Sequence, residues 1–534
     1  MLMVNFKNYG YKKPCSKHLK KLIFVKVLRL ILGDQLNQNH SWFNEVDENV
    51  TYLMAEMRQE TDYVKHHIQK ITAFFLAMRS FSDELSKKGH HFIYYKISDN
   101  NNLHDLEKII QKNIESTSAA KFEYQLPDEY RLDSQLKGIC ERLKTKTASV
   151  DTEHFYTTRY ELKNFFEGKK QLIMENFYRM MRKKHDIMIV GGQPEGGKWN
   201  FDHSNRKKWK GTPGIPKALT FGQDAHKVVD EINSAAIVSF GEIDTTKFNW
   251  PTSREDCLAT LHYFCENLLV HFGDYQDALH TEEKFLFHSR LSFAMNAKII
   301  APKEVINAVL DHYYEHSSQI DISQVEGFIR QILGWREYMR GIYWKEMPEY
   351  AQMNSLENKN PLPDFFWTGK TKMNCLKHAI GQSLDEAYAH HIQRLMIIGN
   401  YALLTQIDPD EVDKWYLGVY IDAIQWVEIT NTRGMSQFAD GGIVATKPYV
   451  SSANYINKMG NYCTKCDYSH TKKTGENACP FNSLYWNFLD EKKEHFNNNN
   501  RMAMMMNLLH KKDKDELQEL KNRAQDIIKN PDIY

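Results

Sequence analysis

Glycine and proline are scarce, 26 and 14 in 534 residues. That excludes collagen-like and elastic repeats and long disordered linkers. Neither sign of charge is in excess: 69 Lys and Arg stand against 68 Asp and Glu, a net of +1 with neutral His. A histone-like, uniformly basic binder is excluded, but a local basic face is not, because binding responds to the local field. No apolar run approaches the ~20 residues of a membrane span, and the most apolar early stretch, Leu22 to Leu32, is broken by Lys26 and Arg29. The same two charges break any signal-peptide core, and no small-residue cleavage site follows. A cytosolic chain with reduced thiols is therefore expected. No repeat of 20 to 50 residues is visible, which argues against a solenoid. What is present is an ordinary soluble composition, 42% hydrophobic and 26% charged, with aromatics high at 12%. At ~150 residues per domain the length suggests two to four domains.

Residues 1–24 are basic and pattern-poor and read as an extension. From 25 to 155 two periods alternate. Val27 to Leu32, Thr51 to Met57, His91 to Ile97 and Lys121 to Leu126 read as strands, and Val64 to Leu85, Leu103 to Ile114 and Arg131 to Lys144 as helices. Such alternation predicts a doubly wound parallel sheet. Ligands of these sheets sit at the carboxyl ends of the strands, which here carry Gly33-Asp34-Gln35 and Glu56-Met57-Arg58. No G-x-G-x-x-G follows the first strand, so the dinucleotide fingerprint is absent.

Residues 156–250 read as a connector. Between 171 and 215 it interleaves Arg179, Arg182, Lys183, Lys184, Lys198, Arg206, Lys207, Lys208 and Lys210 with Tyr178, Trp199, Phe201 and Trp209. Cations among aromatics suit phosphates and stacked bases; a solvated linker is the plain alternative. From 251 to 510 strand patterns nearly vanish and helical periodicity runs through 255–272, 302–315, 321–345, 381–405 and 410–430, an all-α domain. Residues 511–534 form a helical tail.

Cys463-Thr464-Lys465-Cys466 is followed after twelve residues by Cys479-Pro480, and Cys375 lies 88 residues before Cys463. Four thiolates close a zinc tetrahedron or hold a [4Fe–4S] cluster. One remote ligand plus a local three, the last a Cys-Pro, favours iron–sulfur. Cys15, Cys140, Cys257 and Cys265 lack ligand spacing and read as small buried hydrophobes.

Three helical stretches are dense in chemistry: Phe287 to Asn296 around Ser289-Arg290-Leu291-Ser292, Glu326 to Tyr338 with Gly334-Trp335-Arg336-Glu337-Tyr338, and Trp415 to Asn431 leading to Asp440-Gly441-Gly442 and Lys447-Pro448-Tyr449. With the opening Leu32-Gly33-Asp34-Gln35-Leu36 they make the chain resemble the photolyase/cryptochrome family. The four cysteines, Ala389-His390-His391 and Lys447-Pro448-Tyr449 resemble its iron–sulfur bacterial branch, the prokaryotic (6-4) photolyases.

The resemblance spans about Val27 to Leu509 and implies a fold: an antenna-carrying α/β domain followed by an all-α FAD-binding domain with a [4Fe–4S] cluster on Cys375, Cys463, Cys466 and Cys479. It implies FAD at Tyr275, His288, Ser289, Arg290, Leu291, Gln331, Arg336 and Asp422, with Glu428 near the reactive flavin nitrogen. It implies a 6,7-dimethyl-8-ribityllumazine antenna at Gly33, Asp34, Gln35 and Glu56. Trp415 becomes the nearest electron donor, with Trp367 and Tyr416 further out, and His390, His391 and Tyr449 line the lesion pocket. Lys183, Arg206 and Lys207 become DNA contacts. UV-damaged DNA is the implied substrate, for a monomer in the bacterial cytoplasm with no protein partner.

The run Tyr388 to Arg394 reads as helix, so adjacent His390 and His391 point about 100° apart. Glu428 has a plain alternative as the salt-bridge partner of Arg433, and without the resemblance Trp367 and Trp415 read as core aromatics. Physics alone does not separate (6-4) from cyclobutane lesions, both flipped dipyrimidines. Two other functions fit the sequence: a non-repairing blue-light photoreceptor on the same scaffold, and an iron–sulfur nucleic-acid-binding protein without photochemistry.

Overall fold

A computed structural model describes residues 25–534; the expected extension at 1–24, and Cys15 with it, lies outside the described residues. Five parallel strands form the sheet: β1 (Val27–Leu30), β2 (Val50–Ala55), β3 (His91–Tyr95), β4 (Lys121–Gln125) and β5 (Lys146–Val150). They lie in the order β3-β2-β1-β4-β5. Parallel strands covered on both faces read as continuous apolar runs, which is why β1 and β2 were legible. Strand β5, Lys-Thr-Ala-Ser-Val, was not expected: like β3 it is an edge strand with no fully buried residue, but unlike the Phe-Ile-Tyr-Tyr of β3 it carries no apolar signal.

One face of the sheet packs Leu28, Leu30, Leu53 and Phe122 against Ile109, Ile110 and Leu136 of the helices Leu106–Thr117 and Tyr130–Arg142. The other face, with Tyr52 and Met54, meets the helix Ile68–Lys87 and joins a core continuous with the helical domain. Buried charge also ties the two domains. Lys298 Nζ reaches Asp34 at 2.8 Å and Asp128 at 3.0 Å, and Arg340 donates to Asp128 at 3.2 Å. Burial pushes the Asp128 pKa up, but Lys298 and Arg340 outweigh it and hold the carboxyl at about 2.

The connector is folded. It contains the helices Met174–His185 and His226–Ser234. Arg182, grouped by sequence with the phosphate-binding cations, is 0% exposed. It donates to the carbonyls of Ile187, Met188 and Trp199, so its role is structural. The final helix, Lys514–Lys529, buries Leu520, Ala524 and Ile527 and packs along Pro480–Glu491.

Two departures from the expected helices matter for the site. Among the described residues three segments are π-helical: Arg330–Arg336, Gln393–Gly399 and Thr430–Ser436. Such turns are rare and cluster at functional sites. The helix expected over 381–405 is interrupted, because Asn374–Glu386 ends at Ala387 in the left-handed region (φ 52°). Residues 388–390 form no helix, and helix resumes at His391. Adjacent His390 and His391 are therefore not successive positions on one helix.

Candidate functional site

The break at Ala387 delivers Tyr388, His390, His391 and Arg394 to the helix end that faces the Phe287 to Asn296 stretch. Arg394 makes a bidentate pair with Asp422, at 2.9 and 3.2 Å, and its guanidinium lies 3.8 Å from the centroid of the Tyr420 ring. Burial raises the Asp422 pKa, but Arg394 outweighs it and holds the carboxyl below its ordinary range. Arg394 received no role from the sequence, although it sat in the run containing both histidines. Its signal was the need of buried Asp422 for a cation.

His288 stacks on His390 with centroids 4.6 Å apart and planes at 17°. Burial, then its neighbours His288, His391 and Arg394, push the His390 pKa well below 6.5. His391 is solvent-accessible, yet enclosed enough that burial, with Arg394 adding, pushes it down to about 4. His288 is also pushed to about 4, by burial and then by His391. All three rings are neutral at neutral pH in the protein alone.

Arg290 holds a left-handed backbone (φ 57°), unusual for a long side chain. Its guanidinium lies over Trp250 and Phe285, at 4.8 and 4.4 Å, and donates to the Leu219 and Asn249 carbonyls. Its Nε has no partner, and neither do His288 Nε2 and Glu428 Oε1. Glu428 is buried, and burial followed by Asp413 raises its pKa well above 4.5. The alternative pairing of Glu428 with Arg433 does not form, because Arg433 is taken by Asp413 at 2.7 Å and by Asp410. Buried polar atoms left open are what a polar cofactor satisfies; here they fall at separate places, Arg290 against Trp250 and Phe285 and Glu428 beside Asp413 and Lys70. Arg290 is a fitting anion donor, and a protonated Glu428 a fitting donor to a ring nitrogen.

The remaining expected contacts spread along the domain. Ser289 Oγ accepts from the Leu291 N–H at 3.4 Å. Tyr275 stacks on Phe287 at 5.3 Å, and Gln331 is exposed beside Gln276. Arg336 is buried deeper, between Phe155 and Trp426, and donates to the Met295 carbonyl; its Nε and Nη1 lack partners.

Trp415 is buried, donates from Nε1 to the Phe366 carbonyl, and meets Tyr416 at 5.4 Å and Phe366 at 5.2 Å. Trp367, next to Phe366 in the chain, is 41% exposed. Tyr416 is buried like Trp415, and the exposed Trp367 packs edge-on against Phe240 at 5.2 Å. Tyr449 is half-buried, with Arg206 and Arg501 close enough to lower its pKa and burial raising it more.

At the carboxyl edge of the sheet a cavity of about 150 Å³ opens between the domains, with Gly33, Asp34, Glu56, His66, Lys70 and Trp426 on its wall. Gln35 is not on that wall. It is buried behind it, with Nε2 donating to the Gln125 carbonyl and Oε1 accepting from the Leu32 N–H. Glu56 is saturated by Arg79, Tyr94 and the Ile97 N–H. Sequence reasoning missed His66, whose two ring nitrogens lack partners, and Lys70, which burial pushes down to about 7.

Cys375, Cys463, Cys466 and Cys479 line one small chamber with Tyr462 and Phe481. Burial raises the Cys375 thiol well above 9, and the other three cysteines raise it further. A site whose thiols are this reluctant to ionise alone suits a cationic group that stabilises thiolates. Among the described residues no three His, Cys, Asp or Glu side chains are placed to bind a single metal ion. Cys140, Cys257 and Cys265 lie apart from the chamber, the last two buried.

On the surface, Lys183, Arg179 and Lys184 border a shallow groove with Phe165 and Trp199; Arg179 and Lys183 lie 5.5 and 5.4 Å from the Trp199 ring. Arg206 and Lys207 are exposed, and Lys207 pairs with Asp274 at 2.8 Å. No described helix is long and apolar enough to cross a membrane.

A family profile of deoxyribodipyrimidine photo-lyase-related proteins matches residues 29–250. A (6-4) photolyase of Agrobacterium fabrum is 41% identical over 479 residues, 89% of this chain and 94% of that protein. Among solved structures, a bacterial class III photolyase from Agrobacterium tumefaciens aligns with a TM-score of 0.55 at 15% identity, over 81% of this chain and 83% of that one. A cryptochrome from Synechocystis aligns with a TM-score of 0.55 at 11% identity, over 94% and 98%.

Proposed function

The chain belongs to the photolyase/cryptochrome family, and we propose from this that it is a DNA-repair lyase that uses light to return (6-4) photoproducts to intact bases. The observation that carries the reading is 41% identity along almost the whole of a (6-4) photolyase. The histidine cluster beside the Arg394–Asp422 pair supports it. Membership implies FAD. Bound and reduced, FAD supplies the electron that light makes available. We further assign a [4Fe–4S] cluster to the four cysteines and a lumazine antenna to the interdomain cavity, and place the enzyme as a monomer in the bacterial cytoplasm.

The protein's own residues have separable roles. Arg394 holds Asp422 in place by a bidentate pair; with FAD bound, Asp422 and Arg290 would contact it, Arg290 as the cation for its pyrophosphate, and Glu428 would supply a proton to the flavin ring. The lesion, flipped from the duplex, meets His390, His391 and Tyr449; flipping costs least where pairing is already damaged. A ring nitrogen of His391 hands the lesion its proton. Light-dependent disappearance of a (6-4) lesion from an oligonucleotide tests the reading, and persistence of the lesion overturns it.

Proton donation by His391 sets a pH dependence. Above its pKa the protonated fraction falls about tenfold per pH unit. Bound DNA phosphates raise that pKa by stabilising the imidazolium. Repair under limiting substrate is therefore expected to slow as pH rises through the His391 pKa, about 4 in the protein alone and higher with DNA bound, by up to about tenfold per unit. A rate that rises with pH would make the residue a base.

Trp415→Phe is expected to block photoreduction of the oxidised protein, because the buried first donor is lost, while chemically pre-reduced protein repairs at the wild-type rate. Steady illumination with an external donor followed by a repair assay separates the two. Equal loss of both would mean that Trp415 only packs the core.

Arg206→Glu with Lys207→Glu is expected to weaken damaged and undamaged DNA binding alike. Each lost phosphate contact removes roughly one unit from the slope of log affinity against log salt. Lys207 already shares its charge with Asp274, so most of the change comes from Arg206. An unchanged slope would return both residues to a solvated surface.

A further inference from the structure

Tyr462 precedes the first cysteine of the local cluster set and is fully buried. Its carbonyl accepts from Asn374 Nδ2 at 2.8 Å, and Asn374 is the neighbour of Cys375. Two cysteine-bearing segments thus fix this one tyrosine. Its hydroxyl accepts from Gln393 Nε2 at 3.1 Å. Gln393 is also buried, and the same Nε2 donates to Gln382 Oε1 at 3.0 Å. Its Oε1 reaches back three residues to accept the His390 N–H at 3.0 Å. That last bond is one half of a capping box, and it closes the chain break that presents His390 and His391. One amide group therefore spans from the cysteine chamber to the lesion-pocket histidines, with every partner buried.

We propose that Gln393 is a positioning residue that couples the cysteine loop to His390 through Tyr462, so that the set of the lesion pocket depends on an ordered cluster loop. The proposal rests on the reading of His390 and His391 as lesion contacts. The coupling itself is structural and is read without substrate. Buried polar networks of this kind act as units, because losing one member leaves the others unsatisfied in a low dielectric. His390 stacks on His288, so a shift of its backbone moves two rings of the pocket.

The test uses full-length holoprotein with Gln393→Leu, Tyr462→Phe and the double variant, plus Gln393→Glu, whose carboxylate still accepts the His390 N–H and, with the native bond reversed, accepts from the Tyr462 hydroxyl. Iron and flavin content are expected to stay at wild-type levels. Amide exchange at His390 is expected to accelerate in Gln393→Leu and equally in Tyr462→Phe, which leaves the His390–Gln393 bond untouched. Repair kcat is expected to fall by about tenfold to a hundredfold, the scale of a small misplacement, with KM for DNA unchanged, and Gln393→Glu is expected to restore most of it. The double variant is expected to be no worse than the poorer single one, as for residues in one network. Wild-type exchange at His390 in Tyr462→Phe, or additive losses in the double variant, would reduce Gln393 to a local helix cap and overturn the proposal. Should Gln393→Leu not fold, Tyr462→Phe alone decides by the same exchange measurement. Absence of (6-4) repair in the wild type would remove the functional reading, while the exchange data would still report the coupling.

Discussion

His391→Ala is expected to lower (6-4) repair by about 10²-fold or more, the usual scale for losing a general acid, while flavin, iron and photoreduction through Trp415 persist. The ring is accessible, and no side-chain hydrogen bond holds it in place. His391 begins the resumed helix, where Ala keeps helix propensity. Its removal therefore leaves the fold and the Arg394–Asp422 pair intact. DNA affinity is expected to change little, because phosphate contacts dominate it. His390→Ala is a different experiment. That ring is buried and stacked on His288, so its loss also opens a cavity and relaxes the pocket. Single-turnover repair with pre-reduced protein measures both. Undiminished repair by His391→Ala would pass the proton role to His390.

Cys375→Ala is expected to give the larger structural effect. Cys375 is buried on the helix Asn374–Glu386, remote in sequence from Cys463, Cys466 and Cys479 but facing them across one chamber. Three thiolates cannot complete the set, and metal binding is coupled to folding. The variant is expected to lose its iron and to be recovered in poor yield or without flavin, since the same helix leads directly into the break at Ala387. Elemental analysis of anaerobically prepared wild type is expected to give about four iron atoms per chain. Zinc in their place would contradict the cluster assignment.

What the sequence made legible follows from where the signal was strong. Apolar runs gave four of the five parallel strands, and the switch to a 3.6-residue period gave the helical domain. Cysteine spacing gave a set that the fold brings to one chamber. Strand β5 was silent because an edge strand of Lys, Thr and Ser has no buried face to advertise. The break at Ala387 was silent for a different reason. Neither Gly nor Pro marks it, and an L-residue enters the left-handed region only where surrounding structure holds it there. The three π-helical turns each span seven residues, too short to disturb a helical period. Charge was the least legible property. Nothing in a list of basic residues distinguishes Arg182, spent on three carbonyls in the interior, from Lys183 beside it on the surface. Nor does sequence spacing show that Arg433 serves Asp413 and Asp410 and leaves Glu428 unpaired. Gln393 carried no motif at all; its role exists only in the meeting of three distant segments.

Light-driven repair of one class of lesion is tested most directly by one measurement. Purified, reduced protein is mixed with two oligonucleotides, one carrying a single (6-4) photoproduct and the other a cyclobutane dimer, and chromatography follows restored bases in blue light and in darkness. Restoration of the (6-4) strand is expected in light alone, with the cyclobutane strand unchanged. Flavin-containing protein that restores neither strand would contradict it and make the chain a photoreceptor on a repair scaffold.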